Sequence, residues 1–133
     1  MAKREARAPS QRQLRVGEEV RHALAATLAR GELRDPALEG VPITVSEVRM
    51  SPDLRNATAF IMPLGGSKIG GADVEAVVAA LTRARSFLRR QVAGTVRLKY
   101  VPQLGFRADR SFDQAHLIAT LLDGDGEGGD HGA

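Results

Sequence analysis

The chain is predicted to fold as an α+β domain, with a small sheet covered on one face by helices. Apolar residues recur in threes and fours along two long segments, as on one side of a helix, while short runs rich in β-branched residues alternate as strands do. The order of these segments, helix, strand, strand, long helix, strand, short helix, is the third observation. A long helix between the second and third strands calls for a crossover, and two long amphipathic helices can cover three strands.

The first helix begins by residue 11, with Ser10 or Pro9 at its start. In "SQRQLRVGEEVRHALAATLARG" Leu14, Gly17, Val20, Leu24 and Leu28 share a face, Ala23 and Thr27 lie beside it, and Gly31 marks the stop. The other face carries Arg12, Arg15, Arg21 and His22. Past a polar loop with Asp35 and Pro36, "PITVSEVRMS" predicts a strand over 43–50. Its alternation changes parity, Ile43 and Val45 on one face and Val48 and Met50 on the other, which a bulge near Ser46 or Glu47 reconciles. A second strand is expected over 57–62. Between them "SPDLRN" holds a proline that pre-sets φ, and an aspartate and an asparagine able to bond the local backbone, so the pair reads as a β-hairpin.

"LGGSKIGGAD" predicts a flexible loop carrying Lys68, because so many glycines lose too much entropy on ordering. "DVEAVVAALTRARSFLRRQVAG" then predicts one long helix, with Val74, Val77, Val78, Leu81, Ala84, Leu88 and Val92 on its apolar face and Gly94 at its end. The third strand is expected in "TVRLKYV", where Val96, Leu98 and Tyr100 alternate with Arg97 and Lys99. Ser111 and Gln114 make a capping-box pattern ahead of a short helix containing Ala115, Ile118, Leu121 and Leu122. The chain thus divides into a flexible basic start (1–10), one folded unit (11–122) and a disordered acidic, glycine-rich tail (123–133).

A length of 133 residues, 43% of them apolar and 26% charged, suits one soluble domain with a real core. No stretch approaches the roughly 18 apolar residues of a membrane span, and "MAKREARAPSQRQ" contains no secretory apolar core. With no cysteine, disulfide scaffolds, thiolate metal sites and cysteine nucleophiles are excluded, and a reducing, cytoplasmic location is expected. The net charge of +3 conceals an asymmetry. Asp123, Asp125, Glu127 and Asp130 in the tail account for four of the 16 acids, leaving 19 bases against 12 acids, or +7, for residues 1–122. Only Lys3, Lys68 and Lys99 are lysines, so the charge is almost wholly guanidinium, the group best suited to bidentate phosphate contacts.

Catalytic constellations are missing. His22, His116 and His131 lack metal-ligand spacing, no Gly-x-Ser-x-Gly elbow occurs, and Glu18 and Glu19 are adjacent and so point to different sides of a helix. "GGSKIGG" lacks the Gly-Lys-Ser/Thr ending of a phosphate-binding loop. No enzyme, cofactor or metal is therefore expected. The arginines carry the functional signal. Arg83, Arg85, Arg89 and Arg90 crowd two turns of the long helix, where Asp73 and Glu75 sit only at its N-terminal end. A solvated face explains such a cluster in the simplest case, but its self-repulsion favours a polyanion. Arg12, Arg15, Arg21, Arg49, Arg55 and Lys68 form a second tier. Aromatics are few and mostly at core-facing positions, which argues for a structured RNA gripped through phosphates and shape rather than by base stacking on a sheet.

Four blocks, "LRVGEEVRHALA" (14–25), "ITVSEVRMSPDLRNATAFIMPLGG" (43–66), "FLRRQVAGTVRLKYVPQLGFRAD" (87–109) and "SFDQAHLIATLL" (111–122), resemble the bacterial ribosome-binding factor A family. "SPDLRNAT" is the most specific of them. The resemblance implies a type II KH-like domain, α-β-β-α-α-β, whose long helix is kinked. It also implies a monomeric cytoplasmic factor that binds the free 30S subunit and assists late 16S rRNA maturation, including 5′-end processing, without catalysis, and that matters for growth in the cold. Family members carry Ala-x-Gly at the kink; here Ala84, Arg85 and Ser86 occupy it, with serine in place of glycine. A rival reading is a protein-interaction module that docks a ribosomal protein or an assembly GTPase.

Overall fold

The computed structural model describes residues 8–63 and 74–110. Lys68 and its glycine loop, the helix expected over 111–122, the acidic tail and residues 1–7 lie outside the described residues. The elements are α1 (Gln11–Ala29), β1 (Ile43–Met50), β2 (Asn56–Pro63), α2 (Val74–Arg83), α3 (Arg85–Thr95) and β3 (Gln103–Ala108), the α-β-β-α-α-β order that the resemblance implies. The strands lie in the order β1-β2-β3, with β1 antiparallel and β3 parallel to the central β2.

Ser10 starts α1 through a capping box, its Oγ accepting from the Gln13 N–H at 3.1 Å while Gln13 Oε1 accepts from the Ser10 N–H at 2.9 Å. Gln13 Nε2 also donates to the Met50 carbonyl at 3.0 Å, tying the start of α1 to the end of β1. The helix buries Val16, Gly17, Val20, Ala23, Leu24 and Thr27. At Gly17 the helix comes close to the sheet, and a Cβ there would lie 2.6 Å from the Val48 carbonyl oxygen. With Val16 buried beside it, Leu14, expected inward, stands on the outer edge at 52% exposure.

The change of parity in β1 is resolved by a register shift between Val45 and Glu47. The extra residue turns Val45, Val48 and Met50 all inward, where each is buried. Ser51 closes the hairpin: its N–H donates to the Asn56 carbonyl at 2.9 Å, its Oγ donates to Asp53 Oδ1 at 2.6 Å, and the same Oγ accepts from the Asn56 N–H at 3.0 Å. Leu54 takes the left-handed region (φ 63°) at the turn. A leucine adopts that geometry at a penalty of about 1–2 kcal/mol, offset here by packing against the core edge.

The single long helix expected over 73–94 is two helices. At Ala84 (φ −93°, ψ 11°) the backbone leaves helical geometry, and its N–H is shared between the Ala80 and Leu81 carbonyls at 3.1 Å each. The break falls at alanine itself, and the helical run then continues through Gly94 to Thr95. The third strand also lies elsewhere than expected. It occupies Gln103–Ala108, whereas 96–102 is the return path. Both segments alternate, but it is Gln103 that pairs with Asn56 at the start of β2 and donates to the Arg55 carbonyl at 2.8 Å. Val96 is instead spent on the C-cap of α3, and Leu104 and Phe106 take the inward positions. No helix among the described residues is long and apolar enough to cross a membrane.

Candidate nucleic-acid interface

The helix arginines divide by environment. Arg83, at the end of α2, donates from Nε and Nη2 to Asp35 Oδ2 at 3.0 and 2.8 Å. That pairing first, and the Ala37 N–H on Oδ1 second, hold the Asp35 carboxyl below its ordinary pKa. Because the folded value is the depressed one, the pairing contributes above the unfolded carboxylate value of about 4 and is lost as pH falls through the lower folded value. Arg83→Gln is expected to return the Asp35 titration, followed by NMR at its carboxyl carbon, towards the ordinary range. An unchanged titration would mean that the pair does not persist in solution.

Arg89, half-buried, sends Nε to the Pro102 carbonyl at 2.9 Å and Nη2 to the Val101 carbonyl at 2.8 Å. Its fork therefore clamps the segment that leads into β3. Arg85 and Arg90 are exposed on α3, Arg90 with its guanidinium 6.0 Å from the Phe87 ring centre. Among the described residues neither forms an ion pair.

On α1, Arg21 is bound to Glu18, which His22 also approaches at 3.2 Å, whereas Arg12 and Arg15 are exposed. Arg49 on β1 bridges to Glu47 at 2.8 Å and lies 4.9 Å over Phe60 on the open face of the sheet. Arg55 in the hairpin forms no salt bridge among the described residues, although its charge adds to the lowering of the Asp53 pKa. Its guanidinium sits 4.1 Å from the centre of the Tyr100 ring, and Lys99 Nζ approaches the same ring at 5.6 Å.

These placements bring together what the sequence kept apart. The start of α1, the hairpin turn and the 96–102 segment converge so that Arg12, Arg55, Lys99 and Tyr100 line one open cleft of about 280 Å³. Tyr100, expected to face the core as part of a strand, is 50% exposed. The cleft's one acid, Asp53, has its Oδ1 engaged by the Ser51 hydroxyl and the Arg55 N–H, which lower its pKa in that order of importance.

A cationic α+β domain of this order matches the family of ribosome-binding factor A over residues 12–122. The chain belongs to that family. It is 55% identical over 119 residues to the ribosome-binding factor A of Paramagnetospirillum magneticum, covering 90% of this chain and 80% of that one. Its fold is similar to the crystal structure of ribosome-binding factor A from Thermus thermophilus, with a TM-score of 0.60 and 26% identity over 74% of this chain and 98% of that one. It is also similar, at a TM-score of 0.54 and 26% identity, to the Thermus thermophilus homology model fitted into the cryo-EM map of a 30S–RbfA complex, covering 71% of this chain and 91% of that one.

Within this family member, the sequence pattern points to Arg12 and Arg55 but not to Lys99 and Tyr100. The available signal is Pro102, which has no N–H to give to a ladder and so separates two alternating runs, 95–101 and 103–108. Pairing of Gln103 with Asn56 selects the second run and leaves Tyr100 outside the sheet. Among the described residues no cluster of three or more metal-ligating side chains occurs.

Proposed function

We propose that this chain is a non-catalytic assembly factor that binds the free 30S subunit as a monomer in the cytoplasm and assists late maturation of 16S rRNA, including processing of its 5′ end. Membership of the ribosome-binding factor A family carries this reading, supported by similarity to a structure fitted into the map of a 30S–RbfA complex. Arg12, Arg15, Arg55, Arg85 and Arg90, none in an ion pair among the described residues, are the RNA contacts in this reading. Lys68 belongs with them by charge. Arg83, Arg21 and Arg49 are partly neutralised by their own acids and contribute less, while Arg89 is committed to the fold.

The test is cosedimentation with free 30S subunits, with assembled ribosomes as the negative case. If about four phosphates are neutralised, log affinity falls with log salt at a slope of about −3 to −4. A flat salt dependence removes the electrostatic account. Binding that survives digestion of the RNA marks a protein contact instead. Depletion in cells is expected to leave 16S precursors with unprocessed 5′ ends and to slow growth in the cold.

A further inference from the structure

We infer that the cleft at Tyr100 holds one unpaired RNA nucleotide, its base stacked on the Tyr100–Arg55 pair and its phosphates facing Arg12 and Lys99. This rests on the RNA-binding reading above and narrows it from structured RNA in general to a single-stranded or looped-out position.

Four observations support it. Tyr100 and Leu14 are the large hydrophobic side chains that the described surface exposes, and only Tyr100 offers a π face. Tyr100 is half exposed, with the Arg55 guanidinium 4.1 Å and the more distant Lys99 Nζ 5.6 Å from its ring centre, so a base can extend the stack where the lysine swings out to a phosphate. Three cations meet one acid in the cleft, and that acid's Oδ1 is already engaged by hydrogen bonds. The platform is also held in advance. Arg89 grips the carbonyls of Val101 and Pro102 immediately after the ring, and on the opposite side the Arg55 N–H is bound to Asp53 and its carbonyl to Gln103. A rigid aromatic beside a guanidinium plane loses little entropy on binding a base, and the surrounding cations suit its phosphates. A duplex keeps its base faces stacked within the helix and cannot use such a platform.

The chain supplies its own probe, since Tyr100 is its one tyrosine and it has no tryptophan. Titrating the full protein with a single-stranded oligoadenylate is expected to quench tyrosine emission, after correction for RNA absorbance. A duplex RNA of equal length should bind through phosphate contacts with little quenching. By anisotropy of labelled RNA, Tyr100→Ala should weaken oligoadenylate binding by roughly tenfold or more, and Tyr100→Phe should restore it. Duplex affinity and the melting temperature should stay unchanged in both variants. Arg12→Gln and Lys99→Gln should each lower the salt slope by about one while leaving the quenching at saturation intact.

Equal quenching by duplex and single strand overturns the stacking assignment, as does oligoadenylate affinity unaltered in Tyr100→Ala. Either result leaves the assembly-factor reading standing if the wild-type protein still cosediments with free 30S subunits. Loss of that cosedimentation is the separate failure that brings the reading down.

Discussion

Gly17→Ala is expected to destabilise the protein by about 2 kcal/mol, a fall of about 10 °C in melting temperature for a domain of this size. In most helices the same exchange stabilises, by about 1 kcal/mol. Here the new methyl would sit 2.6 Å from the Val48 carbonyl oxygen, and that oxygen belongs to a paired strand that cannot step aside. Either α1 lifts off the sheet or β1 bends, and both loosen the layer formed by Val16, Val20 and Leu24 against Val45, Val48 and Met50. Gly94→Ala provides the internal control. Position 94 lies within α3 with nothing inside 4 Å of the added carbon, so this substitution should raise the melting temperature slightly. Opposite signs for the two glycines in calorimetry would establish that close approach at Gly17, rather than helix propensity, decides. A stabilised Gly17→Ala variant would show that α1 and β1 are farther apart in solution.

Arg89→Ala is expected to remove about 2–3 kcal/mol of stability, because it deletes two charge-assisted hydrogen bonds in a half-buried setting. Lysine should rescue poorly, since a compact ammonium does not reproduce the planar fork that reaches two successive carbonyls. Urea unfolding measures the loss. The contrast with Arg85→Glu and Arg90→Glu is the informative one. Those exposed side chains should weaken binding to 30S subunits, with melting temperatures close to wild type. Arg89→Ala should melt early, and its binding defect should follow from release of the 99–102 segment. If it instead keeps full stability and loses only RNA affinity, the clamp on Val101 and Pro102 is dispensable and Arg89 is a direct contact.

Much of the fold is legible because it is written in local periods. The apolar face of α1, the hairpin, the bulge in β1 and the crossover each follow from spacing over a few residues or from the order of segments. The break at Ala84 is not legible from propensity. Alanine and arginine are good helix formers, the apolar repeat runs through the break, and only the resemblance to a known family places a kink there. The position of the third strand is hidden for a similar reason. "TVRLKYV" and "QLGFRA" both alternate, and Gly105 weakens the strand pattern of the latter. Where Gln103 meets Asn56 on β2 is a matter of tertiary pairing, beyond the reach of any window of sequence.

Charge follows the same division. Composition and order determine by themselves that this is a basic α+β chain rich in guanidinium and without cysteine, and its sequence blocks determine the family. Which arginines are available is decided only by the tertiary structure. Arg83 and Arg89 are alike in the sequence, six residues apart on one apolar-patterned run, yet one meets the carboxylate of Asp35 and the other the carbonyls of Val101 and Pro102. A long cationic side chain takes its role from whatever acceptor the fold brings within about 3 Å, and those acceptors lie on other segments. Tyr100 is the same case in reverse. Its alternation suggests the core, but β3 forms beyond Pro102, and the ring is left at the surface beside Arg55.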